Sequence, residues 1–481
     1  MQVPELRSTN PLQIAGYGQS GPAPAGKERL AIIAPGGKLC GISAYATAMR
    51  RQLKDAFEIT IFDLDQYLLR SVNRRVRRLG DRHIREICTE LGGFDAVNLQ
   101  LEHGTLGLSS EDICRRFGWL TDAAPRLSVT FHSLPRAGGF DVGGICRALL
   151  RGRFAEADRL HSAARRDRRL SFGIAKQLRR VQRRKQLTVI VHNRRDLSDM
   201  RFMYGIDRVF DHPLAFLSAE EVAVVRGTTR RGDFPILDET PGDAVLIGVF
   251  GFLNEYKGIA TAIRALHHLP AQHHLLIFGG LHPQEIPRRQ QRHPYISSLF
   301  DEAFVDTSLY QRLGEREANG HPQFVLSEAG WREIVAQHPR DLSSRIHFMG
   351  VHDEREFLRG MAICDAVVFP YLEVGQSSSG PISQALEMGC RVIASRTLTF
   401  LGFADYHPDS VEFFDIGNHL ELAERLATRR QFAPRAGLPE INIETNKATY
   451  IMANSRIAGA NWSGARRHSL VRTRDEEPAL I

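Results

Sequence analysis

The run DAVVFPYLEVGQSSSGPISQALEMGCRVIAS, Asp365 to Ser395, decides the fold. It opens with a short apolar stretch, 365–371, that reads as a buried strand. A hydroxyl-rich turn follows, then a short helix between Pro381 and Met388, then a second buried strand, RVIAS (391–395). Strand, turn, helix and strand in this order make one unit of a parallel sheet. Proline suits the first turn of a helix, so Ser377, Ser378, Ser379 and Gly380 lead into a helix N-terminus able to bind an anion. Glu387 lies at the far end of that helix, where a carboxylate can take two ribose hydroxyls. The residues alone equally allow a serine cap and a solvent-facing glutamate.

The same grammar extends outward. AVLIGVFG (244–251) reads as a strand. GFLNEYKG, Gly251 to Gly258, sits where that strand gives way to the amphipathic helix GIATAIRALHHL (258–269). Glycine lets backbone approach a ligand there, and Lys257 adds a point charge suited to a diphosphate. HLLIFGG (274–280) and RIHFMG (345–350) read as further strands. DEREFLRGMAIC (353–364) reads as a helix opened by a capping box from Asp353 to Glu356. The first half repeats the alternation: LAIIAP (30–35), EITIFDL (58–64), FDAVNLQL (94–101), RLSVTFHS (126–133) and LTVIVHN (187–193) read as strands, with SAYATAMRRQL (43–53) among the helices. The expected class is α/β, two Rossmann-like domains facing a cleft. The expected division is a flexible leader, 1–27; an acceptor domain, 28–215; a linker with a helical start, then broken by Gly and Pro, 216–243; a donor domain, 244–430; a helical segment, 431–460; and a flexible tail, 461–481. Residues 281–335 are too long for a simple connection and read as an elaborated insertion.

With 481 residues, 43% hydrophobic and 25% charged, the chain has the composition of a folded globular protein. Its net charge of +8 favours anionic partners. The charge is concentrated between Arg151 and Lys185, which includes Arg165, Arg166, Arg168, Arg169, Arg183 and Arg184 against Glu156, Asp158 and Asp167. That stretch reads as a solvated helical face, as a peripheral contact with an anionic membrane, or as a nucleic-acid surface. Only Phe154 and Phe172 punctuate it, too few aromatics for base stacking, so no nucleic acid is expected. The six cysteines are scattered without metal-ligand spacing and read as reduced, mostly buried thiols of a cytoplasmic protein; no metal is expected. No run is long and apolar enough for a transmembrane helix.

GFLNEYKG, RIHFMGV, CDAVVFPY and the run from Glu373 to Ser395, in this order and spacing, resemble glycosyltransferase family 4 (group 1), of GT-B fold. In the first half, GGKLCGISAY (36–45), VNLQLEHGTLG (97–107) and VTFHS (129–133) resemble segments of the same family. The resemblance spans roughly residues 30–420. It implies retention of configuration, a nucleotide-diphosphate sugar as co-substrate and no metal or cofactor. The acceptor would be a sugar or lipid-linked hydroxyl, in polysaccharide or glycoconjugate assembly. By position, Lys257 would neutralise the donor diphosphate, with Gly251 beside it. Glu387 would hold the ribose. Ser378, Ser379 and Gly380 would donate to sugar and phosphate. Gly350 and Val351 would lie by the base. Gly41 would face the phosphates from the other domain, and His132 would orient the sugar or take a proton. Glu102 and His103, at a strand end, would reach the acceptor; His192 and His212 read as structural.

Two positions depart from the family pattern. Many members carry two glutamates with seven residues between them; here the first is Ser379. Many carry Gly-Arg before the lysine; here it is Gly251-Phe252. These keep open a catalytically degenerate GT-B protein that binds nucleotide sugar or serves as a scaffold.

Overall fold

The computed structural model describes residues 26–37, 41–136, 141–281, 293–303, 342–428 and 441–457. Most of the expected leader, the tail and much of the insertion lie outside the described residues.

Two six-stranded sheets form the two domains. The first contains β1 (Glu28–Ala34), β2 (Phe57–Asp63), β3 (Ala96–Leu101), β4 (Leu127–Phe131), β5 (Leu187–Val191) and β6 (Val209–Asp211), in the order β2-β1-β3-β4-β5-β6. The second contains β7 (Val245–Phe250), β8 (His273–Phe278), β9 (Ile346–Gly350), β10 (Ala366–Phe369), β11 (Val392–Ser395) and β12 (Val411–Phe414), in the order β12-β11-β10-β7-β8-β9. Every pairing is parallel. Parallel sheets are covered on both faces, which is why the central strands read as unbroken runs: β3, β4 and β5 are buried at every position. The strand order reverses between β1 and β3 and again between β7 and β10. Ligands of such sheets bind beyond the carboxyl ends at these reversals.

The segment 216–243 is more regular than its glycines and prolines suggest. Ser218 and Glu221 form a reciprocal cap that opens a helix, Ala219–Thr228. Arg226 Nε then donates to the Met388 carbonyl at 2.5 Å, tying this helix to the second domain. Asp353 caps the helix Glu354–Ile363 as expected.

The C-terminal helix is Ile443–Asn454. It returns to the first domain and packs against β3, β4, β5 and the helix Gly41–Leu53. Asn98 and Gln100 point from β3 to the face it covers, in register with Ser128 and Thr130 of β4. All four are buried. Asn98 donates to Ser128 and Thr130, Ser128 to Asn454, and Thr130 shares a hydrogen with Tyr450. This polar stripe would cost stability if left unpaired.

Candidate functional site

The loop after β7 is shaped by glycine. Gly258 has φ 62°, and a Cβ there would stand 1.9 Å from the Pro370 carbonyl oxygen. That close approach brings the loop onto the end of β10. Asn254 caps the single turn Glu255–Lys257. Lys257 is thereby buried, with Nζ donating to the Tyr371 hydroxyl at 2.5 Å. The ammonium lies 4.0 Å from the Tyr371 ring centre and 5.1 Å from that of Tyr256. Burial lowers its pKa from the ordinary lysine range. Among the described residues Lys257 makes no ion pair, so it is a desolvated cation at the reversal point of the sheet.

Tyr371 hydrogen-bonds onward to Ser379 Oγ at 3.2 Å. Ser379 precedes the helix Gly380–Glu387, yet its side chain makes no capping bond to that helix. Lysine, tyrosine and serine therefore form one chain linking the two loops that flank the cleft. The serines before it join the domains. Ser378 Oγ donates to the His132 carbonyl at 3.2 Å, and Ser377 Oγ accepts from the Leu134 N–H at 3.3 Å. Asn193 donates to the Ser377 carbonyl at 2.8 Å. Gly380 leaves room for Phe216, whose ring would lie 3.2 Å from a Cβ placed there.

Glu387 does not face open solvent. Its two oxygens accept the Phe216 and Leu217 N–H groups at 2.8 and 3.2 Å. Burial pushes this carboxyl up to about 8, against the opposing pull of those two donors. In the ionised form each oxygen keeps a second acceptor position; in the protonated form one of them donates instead. Glu373 does not replace the missing glutamate at 379: its oxygens accept from Gly375 N and Leu398 N at 2.8 and 2.7 Å, shaping the loop itself.

His132, at the end of β4, is buried. Its Nε2 lies 2.8 Å from Gln100 Oε1, and Tyr45 meets it edge-on at 5.6 Å. Burial, with His192 nearby, holds its pKa well below the ordinary histidine range, so the ring is neutral. Glu102 is exposed at the end of β3, close enough that its charge raises the pKa of Tyr256, though burial is the larger cause there. The backbone of His103 follows in the turn His103–Leu106; its side chain is outside the described residues. Gly41 begins the helix Gly41–Leu53 with open space where a Cβ would stand.

Gly350, with φ 84°, and the exposed Val351 close β9 on the same rim as Gly251. The Gly350 carbonyl accepts from Gly279 N, and a Cβ on Gly279 would stand 1.9 Å from the Gly251 carbonyl oxygen. The structure thus gathers Lys257, Ser379, Gly380, Ser378 and His132 at the cleft, with Gly251, Gly350 and Val351 along one rim and Glu387 behind. It adds Tyr371, Tyr256 and Gln100, which the sequence reading passed over. Tyr371 stood at the end of a strand already identified, the one signal that would have found it.

Among the described residues, no group of three or more His, Cys, Asp or Glu is placed to hold a metal. The expectation of mostly buried thiols holds in part among the described cysteines. Only Cys390 is fully buried among the described cysteines; Cys88, Cys114 and Cys364 are half-buried, and Cys146 is exposed on the helix Val142–Leu150. No described helix is long and apolar enough to cross a membrane.

No protein-family model matches the chain, and no curated protein sequence does. Solved structures do. A sucrose-phosphate synthase from Thermosynechococcus elongatus is similar over 89% of this chain and 95% of its own, with 14% identity and a TM-score of 0.52. HepE from Anabaena, solved in complex with UDP and glucose, is similar over 89% of this chain and 93% of its own, with 13% identity and a TM-score of 0.47. At such identities the likeness establishes the fold: α/β, two Rossmann-like domains facing a cleft, the GT-B arrangement.

Proposed function

We propose that this chain is a retaining glycosyltransferase that moves a sugar from a nucleotide-diphosphate sugar to a hydroxyl acceptor, in the cytoplasm, in polysaccharide or glycoconjugate assembly. A shared fold hosts many chemistries, so the reading rests on the site. The observation that carries it is Lys257: a buried cation with no ion-pair partner among the described residues, at the sheet's reversal point and beside a helix N-terminus. A diphosphate supplies the missing counter-charge.

As the bond between the anomeric carbon and the diphosphate breaks, negative charge grows on the departing oxygen. Lys257 and the amides at the start of Gly380–Glu387 stabilise that charge. Such preorganised donors contribute about 3–4 kcal/mol each in related settings. Glu387, already fixed by two backbone donors, accepts ribose hydroxyls on its remaining positions. His132 is neutral and enclosed, so orienting the sugar suits it better than taking a proton. Glu102, exposed on the facing domain, and His103 beside it serve the acceptor.

Peripheral membrane contact belongs to the same reading and moves from the basic stretch alone to its neighbour. On the helix Val142–Leu150, Val142, Cys146, Leu149 and Leu150 all face outward at helical spacing, followed by exposed Phe154. Arg147, Arg151 and Arg153 flank them. An outward apolar stripe with a basic border suits an anionic lipid surface carrying a lipid-linked acceptor.

The test is nucleotide release from UDP-, GDP- and ADP-sugars with a panel of sugar and lipid-linked acceptors. The expected result is acceptor-dependent release with one nucleotide class, reduced about a hundredfold or more in Lys257→Ala. Equal release by wild type and variant would contradict the assignment. Tight binding without release for any acceptor would transfer the chain to the scaffold reading, favoured by Ser379 and Phe252.

A further inference from the structure

A narrow crevice opens where the two domains meet, beside the site just described. His192, Pro213 and Leu214 line it from the first domain, and Ser378, Ser379 and Ile382 from the second. His192 is only 3% exposed. Its Nδ1 lies 2.9 Å from the His212 carbonyl oxygen. A carbonyl only accepts, so Nδ1 carries the ring hydrogen and Nε2 presents a lone pair. Nε2 is buried, and no described group donates to it.

The neighbouring His132 ring, 5.1 Å away between centres, is fixed in the opposite tautomer, because its Nε2 must donate to Gln100 Oε1. Two neutral imidazoles thus stand side by side, held by different acceptors and presenting opposite nitrogens. A buried lone pair without a donor is unfavourable, so the position calls for a hydroxyl. A carboxylate has no hydrogen to give and would be repelled by the lone pair; no Lys or Arg lines the crevice to receive it.

We propose that His192 Nε2 accepts a hydrogen bond from a hydroxyl of the donor sugar, making His192 a sugar-reading residue that selects a neutral hydroxylated ring over a uronic acid. The proposal rests on the nucleotide-sugar reading above.

Calorimetry on wild type, His192→Phe and His192→Gln tests it, with UDP, GDP and ADP, their glucose or mannose conjugates, and analogues of the best-bound conjugate. In each analogue one sugar hydroxyl is replaced by fluorine, which keeps the size but donates nothing. For wild type, one analogue should bind about tenfold or more weakly than its parent. In His192→Phe the parent should be weakened about as much, that analogue should lose nothing further, and the free nucleotide should bind as to wild type. His192→Gln, which keeps an acceptor oxygen, should recover part of the loss. The proposal is overturned if His192→Phe binds the conjugate like wild type, or if it loses free nucleotide and conjugate alike. The analogue series on wild type alone also overturns it if every analogue binds like the parent. Failure of wild type to bind any nucleotide would defeat the donor-site reading itself, and the subsite with it.

Discussion

Lys257 carries its charge into a pocket made of two tyrosine rings, and that placement is unfavourable until an anion arrives. Its folded-state pKa is below the unfolded value, so the charged form is penalised in the fold and the penalty eases as pH rises through the lowered pKa. A buried charge without a counter-ion is costly, so an apolar side chain of similar length removes that cost. Lys257→Met should therefore keep or raise Tm at neutral pH while weakening nucleotide binding by about tenfold or more; a lower Tm in thermal unfolding would mark the lysine as structural. Glu387 has the opposite linkage. Its folded pKa, about 8, is above that of an unfolded glutamate, so the folded state holds an extra proton between those values. Stability should fall as pH rises through that window, and Glu387→Gln should flatten the dependence in urea midpoints measured from pH 5 to 9. Lys257 and Glu387 were legible in the sequence by their place in a strand–turn–helix pattern. Their partners were not. Tyr371, Phe216 and Leu217 reach them through contacts distant in sequence, which no local spacing encodes.

Elements show a similar division. Each central strand was visible as an apolar run because parallel sheets bury both faces. The short edge strands β6 and β12 were missed; three or four residues carry too little periodicity to stand out. The helix Ala219–Thr228 was foreseen only as a helical start to the linker, and the Ser218–Glu221 cap that fixes it went unread. The helix Ile443–Asn454 was foreseen as helical, but its position on the first domain depends on tertiary pairing of Tyr450 and Asn454 with β3 and β4. Deleting residues 443–481 should strip that polar stripe of its partners and lower Tm by about 10 °C or more in thermal unfolding. An unchanged Tm would show that the helix adds nothing to the first domain. Arg116 makes a comparable case in the first domain. It is fully buried, paired with Asp81, and donates to the Leu69, Leu106 and Arg77 carbonyls. Arg116→Ala should cost about 3–5 kcal/mol in chemical denaturation, because Asp81 and three carbonyls lose a shared donor.

Across the whole molecule, the two domains are joined by more than a linker. One apolar cluster runs continuously from Ile32 and Tyr45 through Phe216 to Phe250, Phe369 and Ile382. The serines 377 and 378 add polar ties beside it. This seam sets the cleft flanked by Lys257 and by the His132–His192 pair, and it could not be read from either half of the sequence alone. On the outer side of the first domain, the stripe of Val142, Leu149, Leu150 and Phe154 gives the membrane reading a direct check. Wild type should co-sediment with vesicles containing anionic lipid and be released by salt. Replacing Leu149, Leu150 and Phe154 with serine should weaken that association about tenfold or more. Equal association would return the stripe to an ordinary exposed surface. The central claim is a nucleotide-sugar site built on Lys257 and Glu387. It is tested most directly by calorimetry of UDP, GDP, ADP and their sugars against wild type, Lys257→Ala and Glu387→Ala. The account predicts tight binding of one nucleotide class by wild type and its loss in both variants. Binding unchanged in both variants, or no binding by wild type to any of them, would contradict it.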